Sequence, residues 1–163
     1  MPSVLCTPVD CVTVDGITVV GERINPTGKQ RFQQAVREGD MNYLLEVAVS
    51  QAESGAAVLD VNVGVPGVDE PAVMARAVKA IQSVVSLPLQ LDSSNPEALA
   101  RGLRVYNGKP IVNSVNGERA VLEKILPLCK KYGAAVVGLT LDENGIPKEA
   151  ARPVEIARRL RDA

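Results

Sequence analysis

The feature that most constrains the fold of this chain is a short apolar segment that recurs along it and ends each time in polar residues. Examples are AAVLDVNVG, PLQLDSSNP, KPIVNS and AAVVGLTL, each followed by a stretch with helical spacing of its apolar residues. Nearly continuous apolar runs of this length are typical of strands that are covered on both faces. Alternation of such strands with helices predicts a parallel sheet with right-handed crossovers, in an α/β fold.

Helix boundaries are marked by capping residues. Asp40 is placed to cap a helix from Met41 to about Ser54, and Gly55 suits its carboxyl end. Asn95 followed by Pro96 is a favourable start for another helix. The remaining helices are predicted at residues 69–86, at residues 117–133 and from about Ala151 to Ala163.

The first segment of the chain predicts a β-hairpin. CVTVDGITVVGER alternates apolar and polar residues around Asp15-Gly16, a pair that suits the positive φ angles of a type I′ turn. The second arm is expected to run from Ile17 to Gly21, and a loop from Asn25 to Lys29 follows. No helix is predicted between that loop and Asp40.

Two architectures fit this alternation, an open doubly wound sheet and a (β/α)8 barrel. The turn after the first barrel strand, GERINPTG, lacks the GxGxxG pattern of a doubly wound nucleotide-binding sheet. This absence counts against the doubly wound sheet, and the polar strand ends decide for the (β/α)8 TIM-barrel type, here an incomplete barrel of about five βα units. Residues 1–16 are expected to form a hairpin plug, and residues 17–163 the five units.

Polar residues at the strand ends predict where the functional site lies. The endings are GERIN, LDVN, QLDSSN, IVNSVN and GLTLDEN, and in a parallel barrel all of them meet at one mouth, where active sites are built. Carboxylates and amides in a fixed array suit a flat heterocycle with several N–H donors and carbonyl acceptors. The candidate site residues are Glu22, Asn25, Asp60, Asn62, Asp92, Asn113 and Ser114.

A structural role is the alternative for several polar residues of this kind. Asn95, Asp40 and Asp69 are expected to be helix caps, and the segment 142–145, DENG, is expected to be a turn. For Asp60, Asn62, Asp92 and Asn113, which lie on or next to strands, bracing of the loops is the competing role.

Composition excludes several classes of function. The chain has no histidine, which removes the usual general base and any His-containing zinc site. A net charge of −1 and only three tyrosines and one phenylalanine argue against nucleic acid or an anionic membrane surface as a partner. The three cysteines have no CxxC spacing and are expected to be reduced thiols. With no visible signal peptide or membrane span, a cytoplasmic location is expected.

The segments GERIN, LDVNVG, LDSSN, VNSVNGE and GLTLDENGIP, in this order over residues 17–148, closely resemble one enzyme family. These are the pterin-binding methyltransferases that use methyltetrahydrofolate and a corrinoid protein. The family includes the corrinoid/iron–sulfur protein methyltransferase and the folate domain of cobalamin-dependent methionine synthase. The resemblance implies a (β/α)8 barrel, of which this chain carries five units. In the family, a further Asp and a further Asn from later strands complete the pterin site.

The resemblance also implies roles for individual residues. Asp92 would accept hydrogen bonds from the amino and ring N–H groups of the pterin, and Asn113 would reach N5, which carries the methyl group. Glu22, Asn25, Asp60, Asn62 and Ser114 would line the same pocket. The methyl acceptor would be a Co(I) corrinoid (cobalamin) on a partner protein or domain.

Two alternatives remain open beside this interpretation. One is a non-catalytic module that binds a pterin or serves in assembly. The other is a dihydropteroate synthase, although GERINPTGK and LDVNVGVPG lack the phosphate-handling and glycine- and serine-rich loops expected of that enzyme. Because an incomplete barrel exposes two strand edges, self-association, as a homodimer, is also expected.

Overall fold

The computed structural model describes residues 3–163 and contains two separate sheets. The strands are β1 Ser3–Cys6, β2 Cys11–Val14, β3 Val20–Ile24, β4 Val58–Val61, β5 Leu89–Asp92, β6 Ile111–Val115 and β7 Ala135–Gly138. The helices are α1 Gln30–Glu38, α2 Met41–Glu53, α3 Glu70–Gln82, α4 Pro96–Val105, α5 Arg119–Tyr132 and α6 Ala151–Asp162. None of the helices within this part of the chain is long and apolar enough to cross a membrane.

The larger sheet is parallel and its strand order is β3-β4-β5-β6-β7, the order of the chain. A doubly wound sheet reverses direction at a switch point, whereas a barrel adds each new strand beside the previous one. The consecutive order therefore confirms the prediction of a barrel-type α/β fold with five strands. The sheet is open, with β3 and β7 at its edges.

Alternation along β5 shows how the sheet separates its apolar core from its polar face. Leu89 and Leu91 are fully buried, and a Cβ placed on Gly102 of α4 would lie 3.0 Å from Leu91 Cδ1. Leu91 therefore faces the helix layer. Because successive side chains of a strand point to opposite faces, Gln90 and Asp92 point to the inner face.

Helix caps are formed as the sequence predicts. The Asp40 carboxylate accepts from the backbone N–H groups of Asn42 and Tyr43, and Asn95 caps α4, which begins at Pro96. The helix that contains residues 30–38 was not predicted. Its apolar residues Phe32, Ala35 and Val36 fit a helix, but the residue before it, Lys29, provides no side-chain cap, so the usual start signal is missing.

The hairpin prediction places the turn wrongly. Ser3–Cys6 pairs with Cys11–Val14, so the turn lies at residues 7–10, and Gly16 does not have the positive φ that a type I′ turn requires. The Thr7 hydroxyl accepts from the backbone N–H of Asp10 at 3.0 Å and closes the turn without glycine. The segment after Asp15 instead leads into β3 of the parallel sheet.

The hairpin contacts the amino-terminal end of the large sheet, opposite the polar strand ends. Cys6 exchanges two backbone hydrogen bonds with Lys109, which lies just before β6, and Leu5 is fully buried. Gly108 permits this approach, since a Cβ there would collide with the Cys6 carbonyl oxygen. The boundary after residue 16 stays a prediction.

Candidate functional site

Carboxylate and amide side chains meet where β4, β5 and β6 end. Asp92 and Asn113 are register partners at the ends of β5 and β6, and Asn62 follows β4 directly. The Asn62 Nδ2 atom donates to Asp92 Oδ2 at 2.9 Å. A side-chain hydrogen bond therefore joins two neighbouring strand ends and holds Asp92 at the mouth of the sheet.

Asp60 connects the same three strands from a more buried position. Its side chain is 5% exposed, and its Oδ1 atom accepts from Gln90 Nε2 at 2.5 Å and from Asn113 Nδ2 at 3.3 Å. Asp60 and Gln90 are register partners on β4 and β5. Both bonds use one carboxylate oxygen, so Oδ2 remains free of these two contacts.

The acidic groups of this array act on one another. Burial raises the pKa of the Asp60 carboxyl above its ordinary value of 3.8, and the charges of Asp92 and Glu22 raise it further. The hydrogen bonds from Gln90 and Asn113 oppose this rise in pKa by stabilising the ionised form. The two amide donors thus offset part of the cost of burying the ionised form of the Asp60 carboxyl.

This cost predicts the effect of Asp60→Asn on stability. Because the pKa of Asp60 is raised in the folded chain, the folded state binds more protons than the unfolded state between the ordinary and the raised pKa. The stability of the parent chain therefore falls as pH rises through that window and stays lower above it. We expect the variant to be more stable than the parent at pH 7, by about 1 kcal/mol in urea unfolding.

The quantity to measure is the free energy of unfolding of the variant minus that of the parent. This difference should be small near the acid end of a pH series and should grow towards neutral pH. Asp69→Asn is the matched control, because Asp69 is an exposed cap of α3 and Asn caps equally well. A variant advantage that is constant with pH, or a loss of stability at pH 7, would contradict the prediction.

A pocket of about 360 Å³ opens beside these strand ends. Three predicted residues border it, Asp92, Asn113 and Ser114, together with Ser93 and Ser94 of the next loop. Lys124 of α5 also borders it, and apolar atoms of α5 form much of the remaining wall. This volume lies within the range of small-molecule sites, and apolar walls with a few polar groups are typical of them.

The other predicted residues lie outside that pocket. Asn62 borders a neighbouring groove of about 690 Å³, formed by the loops after β4 and β5. Glu22 lies on the edge strand β3, where its side chain is exposed. The Asn25 Oδ1 atom accepts from the Thr27 backbone N–H at 2.9 Å, so Asn25 braces its own loop. The predicted set is therefore brought together at β4, β5 and β6, and β3 contributes from the edge.

Two polar residues that follow strands, Asp142 and Asn116, stabilise their own loops by hydrogen bonds. Asp142 accepts from the Asn144 backbone N–H at 3.0 Å and pairs with Arg152 at 2.5 Å, and these contacts lower the pKa of its carboxyl. Asn116 Oδ1 similarly accepts from the backbone N–H of Glu118. The prediction of a turn at residues 142–145 is confirmed by the bridge between Asp142 and Gly145.

Sequence reasoning missed three residues that support the site. Gln90 binds Asp60, and its signal was a single amide within the apolar run PLQLD. Ser93 Oγ donates to Glu70 Oε1 and accepts from the Asn95 backbone N–H at 2.9 Å, which ties the loop after β5 to α3. Glu70 carries no such signal, since an acidic residue in the first turn of a helix is common.

A family model described as "Pterin binding enzyme" matches residues 21–162 of the chain. The match begins within β3 and ends within α6, so it includes nearly the whole five-stranded sheet and every predicted site residue.

Curated relatives include two methionine synthases. The chain is 36% identical over 149 residues to the methionine synthase of Mycobacterium tuberculosis (strain H37Rv). The aligned region covers 88% of this chain and 12% of the relative. The chain is 34% identical over 166 residues to that of Mycobacterium leprae (strain TN), which is 98% of this chain and 14% of the relative. The chain thus spans about an eighth of the length of these relatives.

Solved structures with the same fold include two dihydropteroate synthases. The Vibrio fischeri enzyme superposes with a TM-score of 0.64 at 15% identity, covering 98% of this chain and 59% of that one. The Thermus thermophilus enzyme superposes with a TM-score of 0.58 at 22% identity, and the superposition covers 99% of this chain and 61% of that enzyme. At these identities the likeness concerns the fold alone.

Proposed function

The chain belongs to the pterin-binding enzyme family, and we propose that it binds methyltetrahydrofolate and presents the N5-methyl group to a Co(I) corrinoid. The corrinoid would be held by a partner protein or domain. The observation that carries this proposal is the linked array at the strand ends, in which Asn62 binds Asp92 and Asn113 binds Asp60. The likeness to methionine synthases at 34% and 36% identity supports the choice of methyl donor.

The groups at the mouth fit a pterin ring. A pterin offers amino and ring N–H donors on one edge and a carbonyl acceptor beside them. Asp92 uses Oδ2 for Asn62 and keeps Oδ1, and further lone pairs, for those N–H donors. Ser114 borders the same pocket and supplies a hydroxyl that both donates and accepts. Asn62 and Asp60 hold Asp92 and Asn113 in place from outside this pocket. Glu22 and Asn25, which also lie outside it, would extend the polar surface on the β3 side.

Asn113 is the catalytic residue of this proposal. Its amide has two N–H donors, and one of them is used by Asp60 Oδ1. The second N–H and the carbonyl oxygen remain for the substrate nitrogen N5. Because Asp60 holds the amide in one orientation before substrate arrives, Asn113 would need little reorganisation as charge develops at N5.

The reaction requires that N5 keep the electron pair of the broken C–N bond. The Co(I) corrinoid would supply the nucleophile that takes the methyl carbon. A neutral tertiary amine is a poor leaving group, so N5 must gain a proton or a strong hydrogen bond on the way to the transition state. Asn113 would provide the hydrogen bond, and an amide has no proton of its own to transfer at neutral pH.

The surroundings of the pocket agree with a large partner. The groove after β4 and β5 has a volume of about 690 Å³ and lies next to the pocket, with Ser93 and Ser94 on the border of both. A corrinoid protein or domain would approach from this open mouth. The edges β3 and β7 of the sheet would in addition support self-association of this chain.

Titration calorimetry of this chain with methyltetrahydrofolate tests the proposal. We expect saturable binding, followed by methyl transfer when a Co(I) corrinoid protein is added under reducing conditions. Asn113→Ala should keep the affinity within about tenfold and lower the transfer rate at least about a hundredfold, since it removes a contact strengthened in the transition state.

Binding without transfer in the parent chain would favour the non-catalytic pterin-binding module over the enzyme. Absence of saturable binding would contradict the proposal for this chain. Formation of a dihydropteroate from a pterin diphosphate and an aromatic amine would instead favour the dihydropteroate synthase alternative.

A further inference from the structure

Cys6 and Cys11 face each other across the hairpin at the base of the sheet. They are register partners on β1 and β2, and their Sγ atoms are 2.7 Å apart. The third cysteine, Cys129, lies in α5 with 5% exposure, as part of the hydrophobic core. The three thiols therefore divide into a facing pair and one buried side chain.

The backbone hydrogen bonds show which kind of pair this is. The adjacent residues Thr7 and Asp10 are hydrogen bonded, with Thr7 N donating to Asp10 O at 2.8 Å. Cys6 directs its own N–H and C=O away from Cys11, towards Lys109, at 3.1 and 2.8 Å. Cys6 and Cys11 thus form a non-hydrogen-bonded antiparallel pair, in which side chains approach most closely. The usual Cα separation of such a pair, about 4.5 Å, falls within the range that a disulfide spans.

We propose that Cys6 and Cys11 are a reversible modification site, at which a two-electron oxidant of the disulfide class forms an intramolecular disulfide. With glutathione disulfide, one thiolate attacks the reagent and releases one glutathione thiolate. The second cysteine thiolate then attacks the mixed disulfide and releases the other. Two cysteine thiols are oxidised, two glutathione thiols are produced and the two cysteine protons pass through solvent to the glutathione thiolates, so atoms and electrons balance.

Exposure decides the order and the selectivity of the reaction. Cys11 is exposed and Cys6 is half-buried, so glutathione disulfide has access to Cys11. Cys6 then lies in position to attack the mixed disulfide on Cys11 and to release the bound glutathione. Contact with Cys6 raises the pKa of the Cys11 thiol, and burial raises the pKa of the Cys129 thiol, so access to the reagent, and not the pKa, separates them. Cys129 is buried in the hydrophobic core, where glutathione disulfide does not reach it. The facing pair should be oxidised and Cys129 should stay reduced.

The disulfide would fasten the hairpin where it docks on the sheet. The Cys6 carbonyl accepts from the Tyr106 hydroxyl at 2.9 Å, and Leu5 next to it is fully buried. A covalent link between Cys6 and Cys11 would tie β2, which has fewer buried residues, to this anchored strand. We therefore expect oxidation to raise the urea midpoint of unfolding as well as to remove thiols.

Glutathione disulfide titration of this chain, followed by thiol counting in denaturant and intact-mass measurement, tests the proposal. We expect the free thiols to fall from three to one and the mass to fall by two hydrogens, with no glutathione adduct. Excess dithiothreitol should restore all three thiols. Cys129→Ser should undergo the same loss of two hydrogens, whereas Cys6→Ser should retain a glutathione adduct on Cys11.

Three outcomes would overturn the proposal. They are three free thiols after treatment, a persistent glutathione adduct on the parent chain, and a disulfide-linked dimer on a non-reducing gel. Circular dichroism of the Cys6→Ser and Cys11→Ser variants checks that each remains folded, so that a negative result with a variant reflects its chemistry.

Discussion

Asp92→Ala should weaken the binding of methyltetrahydrofolate by at least about a hundredfold relative to the parent chain. The carboxylate of Asp92 lies at the end of β5 on the border of the pocket, already oriented by Asn62. Hydrogen bonds to a charged group contribute about 1.5–3 kcal/mol each, and removal of their acceptor leaves the pterin N–H donors without partners. About 2.8 kcal/mol corresponds to a hundredfold loss. Titration calorimetry measures the affinity directly.

Two variants make this result specific. Asp92→Asn keeps the shape but loses the charge and one acceptor, so its affinity should lie between those of the parent and Asp92→Ala. Asp40→Ala removes an exposed carboxylate that caps α2; it should cost about 1 kcal/mol of stability and leave the affinity unchanged. An Asp92→Ala chain that is folded and binds within threefold of the parent would remove Asp92 from the proposed site.

Leu91→Ala should lower the free energy of unfolding by about 3 kcal/mol. Leu91 is fully buried in β5, with Val61 and Val112 as its register partners and Gly102 of α4 against its side chain. A truncated side chain here loses its transfer free energy and leaves a cavity that rigid neighbours on both sides fill only partly. Urea unfolding followed by circular dichroism gives the difference.

Two control variants test whether the loss in free energy of unfolding comes from the cavity at Leu91 or from a general sensitivity of the chain to substitution. Leu91→Met keeps most of the volume and should cost less than about 1.5 kcal/mol. Leu139→Ala, at a position that is 40% exposed, should cost less than about 1 kcal/mol. A loss under about 1 kcal/mol for Leu91→Ala, measured with an unchanged denaturant slope, would show that β5 is not part of a tightly packed core.

Elements with strong local signals were predictable from the sequence. The Asp40 and Asn95 caps and Pro96 mark helix starts through bonds within one turn, so they act independently of the rest of the fold. α1 lacked such a cap, and its place depends on Phe32 and Val36 packing into the core.

The position of the hairpin turn was predicted wrongly for a related reason. Asp15-Gly16 is a favourable turn pair, but pairing of β1 with β2 and the entry into β3 override that local preference.

For the candidate site, too, one part was predictable from the sequence and another part was not. The sequence could indicate that Asp60, Asn62, Asp92 and Asn113 lie at the ends of apolar strands, and parallel topology requires such ends to meet. It could not indicate which of them bond to one another. Asn62 and Asp92 are 30 positions apart and Asp60 and Asn113 are 53 apart, and the strand register sets their contacts.

The sequence by itself determined the alternation of strands and helices, the barrel-type sheet and the polar character of its mouth. These follow from hydrophobic period and capping, which depend on neighbours within a few residues. Only the tertiary structure decided that Gln90 supports Asp60, that Asn25 braces its own loop and that Cys6 faces Cys11. The contacts across strands depend on register and on the packing of distant segments, and a one-residue shift of a strand would turn its side chains to the opposite face.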